Sequence, residues 1–159
     1  MPVMKVLVAY DSRKGTTRAV AERIALVATG TTADVTVSHV GAIAAGEAAQ
    51  ADVLFLGAWT HGMFIVGVGP SEGAVDWVHG LPHLAGTLGA VFCTYDLNPR
   101  GTLPAMASLL RDVGVEVLGS HGSKRRNRFA GVDAFAREIM VQARQRSGPR
   151  SSGDRALRP

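Results

Sequence analysis

The chain holds a single cysteine, Cys93, and few aromatic rings: five Phe, two Tyr and two Trp among 159 residues. One cysteine excludes an internal disulfide and fits a reducing, cytoplasmic setting. Within the apolar run Leu88 to Cys93, the thiol reads as a core residue and not as a nucleophile. No apolar run approaches the ~20 residues that cross a bilayer, so no membrane segment is expected. The start, Met1-Pro-Val-Met-Lys5, leads directly into a strand pattern and lacks the build of a signal peptide. Neither sign of charge dominates the body. The formal net charge is +4, and that excess lies in residues 144–159, where Arg144, Arg146, Arg150, Arg155 and Arg158 stand against Asp154. A second basic cluster, Lys124-Arg-Arg-Asn-Arg128, falls in a predicted loop, but without interleaved aromatics or a recognition motif it does not indicate a nucleic-acid partner.

What is present suits a packed α/β domain: 47% hydrophobic residues and 19 glycines. The length fits one domain, residues 1–146, followed by a polar, Pro/Gly/Ser-rich basic tail, 147–159, that reads as disordered. The most informative stretch is residues 4–17. An apolar run, Val6 to Ala9, stops at small hydroxyl residues and one glycine, and a helical pattern (Val20, Ala21, Ile24, Val27, Ala28) begins at once. A buried strand passing through such a loop into a helix N-terminus collects unpaired amide N–H groups and the positive end of the helix dipole, which is a recipe for holding phosphate. Ser12, Thr16 and Thr17 add hydroxyls, and Gly15 lets the backbone close around a ligand. An ordinary turn with Thr16 or Thr17 as helix cap is the competing reading.

The βα pattern then repeats. Asp34-Val-Thr-Val-Ser-His-Val40 alternates like a strand buried on one face near a sheet edge, and Ala42 to Gln50 reads as a short helix. Val53 to Gly57 and Leu88 to Cys93 are continuous apolar runs of the kind buried on both faces of a parallel sheet. Leu103 to Val113 is helical with Gly114 placed as C-terminal cap, Val115 to Leu118 is a fifth strand, and Val132, Phe135, Ala136, Ile139, Met140 and Ala143 mark a final amphipathic helix. Strict alternation predicts a doubly wound parallel sheet of five strands with helices on both faces, three layers in all. Ligands of such sheets bind beyond the strand carboxyl ends, which directs attention to Asp11–Thr17, Ala58–Met63 and Thr94–Asn98. Trp59 and Tyr95 stand in the second and third of these loops, placed to clamp a flat aromatic ligand that carries a phosphate.

These residues resemble the flavodoxin family over most of residues 4–143. Ser12, Gly15 and Thr17 match its phosphate loop, with Lys14 in place of a threonine, and Ser12 to Arg18 is similar to the loop of flavodoxin-like protoporphyrinogen oxidases. Trp59-Thr-His-Gly62 with Asp76-Trp77 reproduces the family's third-strand spacing, and Tyr95 is the counterpart of its fourth-loop tyrosine. The resemblance implies the strand order 2-1-3-4-5, FMN as cofactor, and electron shuttling between a reductase and an acceptor enzyme by a monomer or weak dimer. Ser12, Arg13, Lys14, Gly15, Thr16 and Thr17 would surround the phosphate. Ala58, Trp59, Thr60, His61 and Gly62, with Thr94, Tyr95, Asp96 and Asn98, would line the ring, and the Thr60–His61 peptide would turn toward it. The alternatives are a small FMN-dependent oxidoreductase with its own quinone or porphyrinogen substrate, and an interaction module without flavin. Three features depart from the family: cations at Arg13 and Lys14, a body that is not acidic, and an apolar stretch, Met63 to Gly69, that reads as a pocket rim, a partner surface or buried loop. Gly80 and Pro82 between His79 and His83 argue against a helical metal pair, and Gly57-Ala58-Trp59 lacks the aspartate that a phospho-acceptor receiver needs there. His61 reads as solvent-exposed in preference to a proton relay.

Overall fold

The computed structural model describes residues 3–63, 66–99 and 101–147, with the side chains of 61–63 and 66–68 outside that description. Residues 148–159 of the expected tail, and the side chain of His61, therefore lie outside the described residues.

Strand β1 (Lys5–Tyr10) leads into helix α1 (Thr16–Thr29), then β2 (Asp34–His39), a short α2 (Ala45–Ala49) and β3 (Val53–Met63). After β4 (Val66–Pro70) come α3 (Glu72–His79), β5 (Leu88–Tyr95), α4 (Thr102–Asp112), β6 (Glu116–Lys124) and α5 (Val132–Arg146). The sheet order is β2-β1-β3-β5-β6, all parallel, with β4 paired only to β3. That is the expected order 2-1-3-4-5 once β4 is set aside.

Side-chain alternation along the strands splits the core in two. On one face Val6, Val8, Phe55, Ala90 and Phe92 pack with Val20 and Ile24 of α1 and Phe135, Ile139 and Met140 of α5. On the other, Leu7, Ala9, Leu54, Leu56, Val91 and Cys93 pack with Ala74 and Val78 of α3 and Met106 and Leu110 of α4. The three layers follow directly. All six apolar positions expected to face inward on the final helix are buried. Gly114, just past α4, has φ +99°, the left-handed geometry that suits a glycine cap.

The structure corrects the sequence reading in four places. The stretch Met63 to Gly69 is not simply a loop edge: its described backbone extends β3 and forms β4 as an antiparallel partner. Register pairing of β3 with β5 stops at Trp59–Thr94, so the backbone groups of β3 beyond that point need another partner, and β4 supplies it. Helix α3 went unread because Gly73, Val75 and the Asp76-Trp77 pair blur its apolar face. β6 runs on to Lys124, well past Leu118, because a parallel neighbour holds a polar segment extended. β2 is an edge strand as expected, yet it is not buried on one face: Val35 is half-buried and Val37 is exposed.

Candidate functional site

The loop after β1 opens with Asp11, whose amide donates to Gly57 O at 3.0 Å, prolonging the β1–β3 pairing by one step. Ser12 Oγ then accepts the Gly15 amide at 3.1 Å. Gly15 is the N-cap of α1 with φ +86° and ψ −6°, and no side chain caps the helix. This decides against Thr16 or Thr17 as cap. The first amide after the N-cap turn to find the helical ladder is Ala19 N, donating to Gly15 O at 3.0 Å, so the first-turn amides of Thr16, Thr17 and Arg18 precede that ladder. A Cβ placed on Gly15 would meet nothing within 4 Å. The first turn of α1 contains no acidic residue, and Arg13 and Lys14 beside it are exposed. Open space, uncapped amides and positive charge coincide here, a combination that favours an anion.

Thr17 is buried and its Oγ1 lies 2.7 Å from Thr94 Oγ1, which ties the start of α1 to the end of β5. Thr17 is thus a brace for the loop, with its hydroxyl already engaged. Thr94 is registered with Trp59 on one side and with Ser123 on the other. Registered residues of parallel strands share a face, so Trp59 rises on the α1 side, where the Arg13 guanidinium lies 5.4 Å from its ring centroid. Tyr95 alternates to the opposite face. It is half-buried against the second core, close to Leu103 and to Gly122, where an added Cβ would stand 3.3 Å from its ring. The two rings therefore flank the sheet's carboxyl edge from opposite faces.

The remaining expected residues are distributed as follows. Ala58 is fully buried, so only its backbone can face a ligand. Thr60 is half-buried, with its hydroxyl near the Cys93 thiol. His61 pairs with Gly69, and the β3–β4 ladder shifts register between His61 and Met63, an irregularity beside the peptide expected to turn. Asp96 and Asn98 are exposed, and Asp96 Oδ1 lies 3.6 Å from Arg125 Nη1.

One cluster was not legible in the sequence. His39 Nδ1 accepts the Gly41 amide at 2.9 Å, which leaves Nε2 to donate to Asp11 Oδ1 at 3.2 Å. Tyr10 meets the His39 ring edge-on at 5.7 Å, and a Cβ on Gly73 would stand 2.6 Å from Asp11 Oδ2. Asp11 is thereby held between β2 and α3 at the start of the loop between β1 and α1. Sequence spacing carries no sign of it, because the partners are contributed by three separate segments.

Cys93 is fully buried in the second core. Burial pushes its thiol up to about 11, against the smaller opposing effect of the neighbouring Thr60 hydroxyl. The folded chain holds the thiol proton more tightly than the unfolded one, so that contribution is complete below the ordinary thiol range and is lost as pH rises toward 11. A thiol-specific disulfide reagent at pH 8 is expected to label Cys93 only as the protein unfolds; rapid stoichiometric labelling of the native chain would contradict its burial.

No family model matches the sequence, and no curated protein matches it. Solved structures do. The two-electron reduced flavodoxin of Megasphaera elsdenii superposes with a TM-score of 0.75 at 21% identity over 86% of this chain and 98% of its own. Oxidised flavodoxin 1 of Bacillus cereus gives a TM-score of 0.70 at 20% identity, covering 87% of this chain and 97% of its own. Rubredoxin oxygen:oxidoreductase of Desulfovibrio gigas gives 0.74 at 18% identity over 89% of this chain, which spans 36% of that larger protein. With its strand order, its two helical layers and a glycine-bearing loop between β1 and α1, the chain has the flavodoxin-like fold.

Proposed function

We propose that the carboxyl edge of the sheet binds FMN and that the protein carries electrons between a reductase and an acceptor protein in the cytoplasm. The observation that carries this reading is the uncapped N-terminus of α1, with open space at Gly15 and cations at Arg13 and Lys14. Bound there, FMN would supply one- and two-electron redox chemistry. The chain's part is to bind and orient. The amides of residues 16–18 would receive the phosphate as fixed donors, and Ser12, bonded to the Gly15 amide, holds the loop in shape. Arg13 lies over Trp59, and its exposed guanidinium would be within the same loop to pair with the phosphate. Trp59 and Tyr95 would flank the ring, and the ladder irregularity at His61–Met63 lies beside the peptide that would turn toward it.

The carrier reading is favoured over an enzyme with its own substrate because the chain is short and its sequence shows no insertion of the kind that builds a chamber over a flavin. The protein purified from cells is expected to be yellow and to show a flavin spectrum, with negligible turnover of quinones or porphyrinogens until a redox partner is added. A colourless protein that takes up no flavin, or rapid partner-free turnover, would overturn it. Trp59→Ala should weaken FMN roughly tenfold to a hundredfold, the scale of a lost stacking surface of about 1–3 kcal/mol; fluorescence titration of apoprotein measures this directly, and unchanged affinity would remove Trp59 from the site.

A further inference from the structure

β6 delivers a run of cations to the same edge of the sheet. The strand ends at Lys124, and a single 3-10 turn, Arg125–Asn127, follows. Lys124 is registered with Tyr95 across the β5–β6 pairing, so the basic cluster begins beside the ring proposed to flank the flavin. Lys124, Arg125 and Arg126 line an open depression of ≈ 590 Å³ together with Asp96 and Leu97. Asp96 is the carboxylate in that lining, and its pairing with Arg125 at 3.6 Å is between exposed side chains, so it offsets one of the three cations.

The corner is not purely ionic. Leu97 is 77% exposed. Phe129 is also exposed and carries the Arg128 guanidinium 5.0 Å above its ring. Exposed apolar side chains inside a rim of charge are the build of a transient protein interface. Across the edge, Arg13 and Lys14 add exposed charge of the same sign. A nucleic acid would call for an extended basic stripe following its backbone, whereas these cations gather in one depression with exposed Leu97 in its lining.

We infer that this corner, formed by residues 96–97 and 124–129, is the docking site for a partner protein with an acidic face. In purpose the inference rests on the FMN reading, since a partner seated beside Tyr95 sits next to the proposed flavin. Its recognition chemistry does not depend on the flavin. Charge complementarity of this kind speeds encounter and selects partners, and it weakens with ionic strength.

The test uses the full chain, labelled with nitrogen-15, both as purified and after addition of FMN. An acidic plant-type [2Fe–2S] ferredoxin serves as probe, with a basic c-type cytochrome and a short DNA duplex as controls. The ferredoxin should shift the amides of residues 96–98 and 124–129 at low salt, in flavin-free and flavin-loaded protein alike. Affinity should fall at least tenfold when salt is raised to several times the physiological level. Lys124→Glu with Arg126→Glu should abolish the shifts, and Lys124→Gln with Arg126→Gln should weaken them; all four replacements are at exposed side chains, and an otherwise unchanged amide spectrum confirms the fold. Equal shifts from the cytochrome, tighter binding of DNA at the same amides, ferredoxin contacts elsewhere, or no contact at all would each overturn the inference. Failure of the flavin reading would show separately, as the absence of a flavin spectrum after FMN addition.

Discussion

Valine at position 15 should lower FMN affinity by at least a hundredfold while leaving a folded protein. Gly15 sits at φ +86°, where an L side chain costs roughly 1–2 kcal/mol and a β-branched one more. The space around it is open: an added Cβ meets nothing within 4 Å. The chain can then respond in two ways. It can retain the left-handed turn and place an isopropyl group where the phosphate must approach, or it can relax the turn and move the amides of Thr16 and Thr17 out of convergence. Either response removes the cradle. The stability cost is local and should appear as a fall in melting temperature of several degrees. Calorimetric titration with FMN, alongside a thermal melt, measures both quantities. Unaltered affinity in the valine variant would mean that nothing binds across this loop.

The largest stability effect is expected at Gly57. A Cβ there would stand 2.2 Å from the Phe92 ring, which is fully buried between β3, β5 and the α1–α5 layer. Gly57→Ala must therefore push an aromatic ring out of a close-packed core, costing about 3 kcal/mol, the upper part of the range for overpacking. The change also reaches the candidate site, because Gly57 O accepts the Asp11 amide at the start of the loop between β1 and α1. Phe92→Leu vacates the ring's volume and should return part of the loss in the double variant, so the two substitutions will not add. Urea unfolding of the four proteins gives the cycle. Simple additivity would show that Phe92 is not what excludes a side chain at Gly57.

Most of the framework was legible because it depends on local periodicity. The apolar runs of β1, β3 and β5, the inward face of α5 and the glycine cap after α4 each carry their signal within a few consecutive residues. What escaped depends on partners distant in the chain. β4 consists of Val66 to Pro70, a segment with two glycines that is strand only because the overhang of β3 needs a neighbour. The polar end of β6 is extended only by its pairing with β5. At the site, the position of Gly15 followed from strand, loop and helix in sequence. The engagement of Thr17 with Thr94, the placing of Arg13 over Trp59 and the holding of Asp11 by His39 join segments far apart, and no spacing rule announces them. The basic cluster at Lys124 was visible as composition, but its place beside Tyr95 required the register.

If the loop between β1 and α1 holds a flavin by its phosphate, FMN and riboflavin should bind very differently. The two ligands share the ring and differ in the phosphate, so titrating each into apoprotein at low and high salt isolates this loop. FMN should bind at least a hundredfold tighter than riboflavin, through fixed amide donors that salt screens little. Lys14→Thr should cost FMN less than tenfold and make its binding less salt-sensitive, as befits an exposed, water-screened cation. Equal affinity for the two flavins at both salt concentrations would contradict the account.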